Sequence, residues 1–185
     1  MRMITLVLLT ALSFNVAAQK KTELVWPSLN IDKQTELITY TAVPEVAGVL
    51  APDLYDRAFE WVKGYYKNYA EKLRKNDREA GEIEVFGRFP IYAYDKKGVK
   101  TNSTQALIQY TLKLMFKDGR YKYEISSFNE KATSNQPLEK WLDKEDVDAA
   151  NHALYLKDID DEMKELIKGM KSAIASPKKA AADEW

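Results

Sequence analysis

The sequence predicts an α+β domain, a mainly antiparallel sheet with helices packed on one face, in the order β-α-β-β-β-α. Three observations carry this. A Pro-Asp start at Ala51-Pro52-Asp53 opens a long amphipathic helix. Two extended stretches, Glu82–Tyr94 and Thr104–Lys117, alternate apolar and polar residues. An Asp-Gly turn at Lys117-Asp118-Gly119-Arg120 then folds the second of these back as a hairpin.

The chain opens on Met1 and Arg2, a short positive region, followed by an apolar run of 11 residues from Ile4 to Phe14. Val16-Ala17-Ala18 puts small residues where a signal peptidase requires them. Residues 1–18 read as a secretory signal peptide cleaved after Ala18, with Gln19 as the neighbouring alternative. A retained anchor is the weaker reading, because crossing a bilayer core takes about 20 apolar residues. The expected location is therefore outside the cytoplasm: the periplasm, with the cell surface or extracellular space as alternatives.

The chain has no cysteine. That excludes a lipidated N-terminal Cys, a disulfide framework and thiolate metal ligation. Removing 18 of the 185 residues leaves 167, enough for one domain with its own core. It also leaves 27 Lys and Arg against 28 Asp and Glu. A near-neutral chain offers no general attraction to phosphate backbones, so nucleic acid is not an expected partner. No second hydrophobic run follows, so no transmembrane segment is expected after signal cleavage.

Residues 19–35 form a polar, Pro-containing lead-in, with Trp26 expected against the domain. Glu36–Val43 has strand composition and ends at Pro44 and Gly48. In the helix, Leu54, Ala58, Trp61, Val62, Tyr65, Tyr69 and Leu73 recur at three- and four-residue steps. Lys72, Arg74 and Lys75 load its last turn, where the helix dipole favours cations.

Across the two strands, Ile83, Val85, Phe89, Ile91 and Ala93 share a face, as do Ala106, Ile108, Tyr110, Leu112, Leu114 and Phe116. Pro90 cannot donate to a ladder and marks a bulge or an unpaired edge. Counting back from the turn, which tolerates positive φ at both central residues, pairs Phe116 with Tyr121, Leu114 with Tyr123 and Leu112 with Ile125. The other face pairs Met115 with Lys122 and Lys113 with Glu124. These elements make a core domain over 36–130.

The C-terminal helices fall at 137–175: a short turn anchored by Trp141, then a long segment from about Asp146. There Val147, Ala150, Leu154, Ile159, Met163, Leu166, Met170 and Ile174 are the apolar positions. Asp158 is a possible cap that would split this segment. Residues 177–185 read as a disordered tail.

Chemistry is thinly signalled. Phosphate loops, nucleophile elbows and metal-binding His pairs are absent. His152, the single histidine, lies four residues after Asp148, but nothing nominates a nucleophile for the pair. The acidic cluster Asp158, Asp160, Asp161 and Glu162 lacks the spacing of a calcium loop and reads as a charged first helical turn. No catalytic residue, cofactor site or metal site is assigned. Trp61, Tyr65, Tyr69, Tyr110, Tyr121 and Tyr123 fall on inward faces and read as core. Phe86, Tyr92 and Tyr94, beside Arg88, fall on the opposite face of their strand. These four are the candidate binding surface, unless the lead-in with Trp26 covers them.

Leu54-Tyr55-Asp56-Arg57-Ala58 leading to Trp61, the strand pair, and Phe116-Lys117-Asp118-Gly119-Arg120-Tyr121-Lys122-Tyr123 together resemble the exported bacterial proteins of domain of unknown function 4468. The resemblance covers roughly residues 36–130 and implies a TATA-binding-protein-like fold, a curved antiparallel sheet carrying helices. It implies no activity and no site residues. Nor does the fold's name imply DNA binding, because function resides in sites rather than folds. The expected function is a non-catalytic binding or interaction domain engaging a protein, peptide or glycan of the cell envelope. A carboxylate-based envelope hydrolase is one alternative. The other is a structural subunit joined through the long helix, along Leu154, Tyr155, Ile159, Leu166 and Ile167.

Overall fold

The computed structural model describes residues 25–132 and 134–176. The signal peptide expected at 1–18 and the tail expected at 177–185 lie outside the described residues. The helix-and-hairpin reading holds, with an extra strand at each end. Strands β1 (Tyr40–Ala42), β2 (Leu73–Asp77), β3 (Glu82–Tyr94), β4 (Lys100–Lys117), β5 (Arg120–Glu130) and β6 (Gln136–Pro137) form one antiparallel sheet. Its order is β1-β5-β4-β3-β2, with β6 beside β5. Helix α1 (Ala51–Tyr65) and helix α3 (Ala149–Ala175) pack on each other and on one face of this sheet. A short α2 (Tyr69–Lys72) precedes β2, and a 3₁₀ helix (Leu138–Leu142) precedes α3.

The central hairpin has the register its sequence dictates: Phe116 opposes Tyr121, Leu114 opposes Tyr123, and Leu112 opposes Ile125. All six side chains are buried. On the outer face Lys113 does lie opposite Glu124. Its ion pair, however, goes to Glu84 of β3 at 3.9 Å, and Glu124 takes Lys122 at 3.2 Å. The turn itself needs left-handed backbone only at Gly119 (φ 75°), not at both central residues.

That turn also organises the start of α1. The Asp118 carboxylate accepts the Ala51 N–H at 2.8 Å. The Gly119 N–H reaches the Val49 carbonyl, and the Val46 N–H reaches the Gly119 carbonyl. Helix N-termini leave N–H groups without partners, and Leu50 at the N-cap supplies no side-chain acceptor. The hairpin tip therefore caps the helix from 67 residues away. Within Leu54–Ala58 each polar side chain ties elements together. Tyr55 donates to Asn76 of β2, and Asp56 holds Arg78 through bonds of 2.9 and 3.1 Å. Arg57 donates to the Ile174 carbonyl at 3.1 Å, satisfying the C-terminal end of α3.

Helix α1 ends at Tyr65, eight residues before Leu73, the last position of the apolar periodicity. Asn68 adopts left-handed backbone (φ 56°), which Asn tolerates better than most residues, and the chain turns into α2. Leu73, Arg74 and Lys75, expected in the last helical turn, lie in β2, which pairs with Glu82–Val85. The turn also exchanges two tyrosines: Tyr66 is buried, and Tyr65 is 42 % exposed.

Helix α3 runs unbroken, and Asp158 caps nothing. Its burial stripe is Ala149, Ala153, Leu156, Ile159, Met163, Leu166, Met170 and Ile174. Because the helix begins at Ala149, Val147 is left in the preceding turn, 98 % exposed, and Ala150 is exposed. The acidic cluster falls mid-helix rather than in a first turn. The first turn of α3 carries no acidic residue. Tyr155, Ile159 and Leu166 are buried within the domain, and Leu154 and Ile167 are half-buried, so this stripe serves intramolecular packing.

Candidate functional site

The predicted surface divides into three parts. Phe86 and Arg88 lie on the outer face of β3, as expected. Tyr94 does not. The β3–β4 register shifts between Ile91 and Tyr92 and again between Tyr92 and Tyr94. The unmatched residues lie in β4: Tyr92 opposes Thr104 and Tyr94 opposes Lys100, so the regular ladder ends at Ile91. Beyond it Tyr94 meets the helix layer, where its hydroxyl donates to Asp158 at 2.9 Å and its ring lies 5.9 Å from Tyr155. Burial and the Asp158 charge push its phenol up to about 12. Tyr92 is half-buried, with the Lys100 amine 5.7 Å from its ring. Pro90 falls where β3 pairs with β4 alone, because β2 reaches only to Val85.

Among the described residues, the lead-in from Val25 onward does not reach this surface. Ile31 bridges Ile38, the Thr39 N–H bonds to the Asn30 carbonyl, and the Ile38 N–H bonds to Glu139 at 2.8 Å. This places it at the β1 edge, with β5 and β4 between it and β3. Trp26 is indeed pinned, half-buried against the core with Lys144 5.6 Å from its ring.

Because β2 ends its pairing at Val85, the outer edge of β3 from Phe86 onward has no strand beside it. The Asn68 turn and α2 come up against this gap. Between them lies a pocket of about 420 Å³ lined by Lys67, Asn68, Glu71, Lys72, Arg74, Phe86 and Arg88. Phe86 forms an apolar wall, with the Arg74 guanidinium 5.2 Å from its ring centre. Arg74 also donates to the Glu71 carbonyl at 3.1 Å, which fixes its direction. Partial burial and the neighbouring Arg88 charge hold the Lys72 amine below its ordinary value, against a smaller upward pull from Glu71. Lys67, inside the helical pattern, carried no signal, and Lys72 and Arg74 were missed because a basic run closing that pattern reads as a dipole-favoured last turn. Only the break at Asn68 gathers it opposite Arg88.

Other concavities are formed among the described residues. A groove of about 460 Å³ at the hairpin end is lined by Val43, Gly81, Met115 and Tyr121 among others, but Glu82 and Lys122 on its rim are already paired. A polar cleft of about 340 Å³ gathers Glu130, Asp148 and His152. There the His152 ring stacks on Trp141 at 5.2 Å, and its buried Nδ1 has no hydrogen-bond partner. Asp160, the buried acid of α3, accepts from the Tyr40 hydroxyl at 3.0 Å and pairs with Lys164. Among the described residues no group of three or more His, Cys, Asp or Glu could hold a metal ion. Nor is any helix there long and apolar enough to cross a membrane.

An open antiparallel sheet with its helices on one face defines the TATA-binding-protein-like class. Residues 40–131 match the model described as domain of unknown function (DUF4468) with TBP-like fold, and this stretch is a DUF4468 domain. Solved structures of similar fold include the following two. A TBP-like protein from Parabacteroides distasonis is 13 % identical, with a TM-score of 0.57 over 77 % of this chain and 98 % of that one. A DUF4468 family protein from Bacteroides ovatus is 14 % identical, also at 0.57, over 78 % and 90 %. At such identities the likeness is one of fold. Among curated proteins none matches.

Proposed function

We propose that this protein is an exported, non-catalytic binding domain of the cell envelope, acting in the periplasm on a protein, peptide or glycan partner. The observation that carries the binding reading is the pocket between α2 and β3. It joins an aromatic wall to charged side chains on a sheet surface that α1, α3 and the described part of the lead-in leave uncovered. Mostly pre-formed concavities of a few hundred Å³ with a few polar groups are the usual form of ligand sites. Export rests on residues 1–18, and the absence of any lipidation cysteine supports a freely diffusing mature form.

Ligand-detected NMR against envelope peptides and glycans tests the binding reading, with Arg88→Ala as the control. Binding that ignores this substitution, or none at all, removes the assignment to this surface. Sequencing the N-terminus of protein recovered from a periplasmic extract tests export. The expected first residue is Gln19, and an intact Met1 in the cytoplasmic fraction refutes it.

The hydrolase alternative would act in the cleft holding Glu130, Asp148 and His152. It predicts turnover of an envelope glycan or peptide that Glu130→Gln abolishes, while thermal stability is unchanged. An Arg88→Ala-sensitive ligand that is bound and released unaltered decides for the binding domain.

A further inference from the structure

We infer that the pocket between α2 and β3 binds a soluble phosphate-type dianion, inorganic phosphate or a small phosphomonoester. The inference rests on the reading of this surface as a binding site and gives it a small anionic ligand in place of a peptide or glycan. Four of the seven lining side chains, Lys67, Lys72, Arg74 and Arg88, are cationic, against a single carboxylate, Glu71. Elsewhere on the same sheet Lys75, Lys113 and Lys122 each hold a carboxylate within 4 Å. Among the described residues none of the pocket's four cations forms such a pair. In a chain of zero net charge, where most such charges could be neutralised locally, this pocket concentrates them unpaired.

The electrostatics agree with the geometry. Lys72 and Arg88 repel one another, and a dianion between them would relieve that repulsion while accepting their hydrogen bonds. Arg74, fixed by the Glu71 carbonyl and the Phe86 ring, offers a planar donor edge that needs little reorganisation on binding. The lining also selects the source of the phosphate. Phe86 is its only apolar side chain and is already half-buried, so nothing there could enter a bilayer beside a lipid headgroup.

The test is a titration of the ¹⁵N-labelled chain, residues 19–185, with inorganic phosphate at constant ionic strength and neutral pH. Sodium chloride serves as the reference salt. Saturable shifts are expected at the amides of residues 67–74 and 86–88. Arg88 is exposed, so Arg88→Ala should fold normally and weaken binding about tenfold, the loss of one charge-assisted contact. Lys67→Ala should act in the same direction, and Arg88→Lys should restore only part of the affinity. Three results overturn the inference: shifts that chloride reproduces, affinity unchanged in Arg88→Ala, or sedimentation with phosphatidic acid vesicles without a response to inorganic phosphate. Peptide or glycan binding that depends on Arg88 but does not compete with phosphate would overturn the inference and leave the binding-domain reading standing.

Discussion

Gly87 sits in the middle of β3 on the buried face, and Tyr110 of β4 lies opposite it. The tyrosine ring occupies the space a side chain would need. A Cβ added at Gly87 would come within 2.1 Å of Tyr110 Cζ and 2.5 Å of Cε2. The ring cannot easily move away. Phe89 and Phe128 lie 6.0 Å to either side, and its hydroxyl shares a 3.0 Å hydrogen bond with the buried Tyr66. Gly87→Ala must therefore overpack the core, which costs about 1–3 kcal/mol, and break or bend that bond, which costs about 1 kcal/mol more. The expected total is about 3 kcal/mol, a fall in Tm of roughly 6–12 °C for a chain of this size. Urea unfolding followed by circular dichroism measures it. Tyr110→Leu should be destabilising alone yet partly rescue Gly87→Ala, giving a coupling of about 1–2 kcal/mol in the double-mutant cycle. Unchanged stability of Gly87→Ala, or strictly additive effects, would show that the ring does not cover this glycine.

Three further outcomes are expected. Asp118→Ala should cost about 1 kcal/mol, the usual worth of a helix cap, and Asp118→Asn should cost less, as read from urea midpoints. Val147→Lys, at a position the helical pattern would place in the core, should change stability by less than about 0.5 kcal/mol; a large loss would place Val147 inside. Burial, joined by the Glu162 charge at Tyr65 and by Asp158 at Tyr94, raises both phenols from 10.0 to about 12. The folded state thus keeps these protons where the unfolded state has lost them, and stability should be level below pH 10 and fall between 10 and 12. Equilibrium unfolding across that range checks the sign, which a rise in stability would reverse.

The sequence by itself determined what local chemistry settles. Period-two alternation put Ile83, Val85, Leu112 and Leu114 inward. The Asp-Gly turn set the β4–β5 register, because loop length and pleat leave no other pairing that buries the apolar face of both strands. Pro52 and Asp53 marked where α1 begins. The sequence also placed Phe86 and Arg88 on the outer face. The tertiary structure decided whatever depends on partners distant in sequence. Leu73–Asp77 has little strand character of its own and is a strand because β3 offers an unpaired edge. Tyr94 meets the helix layer past two register shifts in the β3–β4 ladder, an irregularity no single strand announces. Asp118 looks like a turn residue and is also a cap, because folding brings it to Ala51. The basic pocket is of the same kind. Its cations come from both sides of the Asn68 turn and from Arg88 on the outer edge of β3, and they converge only because β2 stops at Val85 and leaves that edge open.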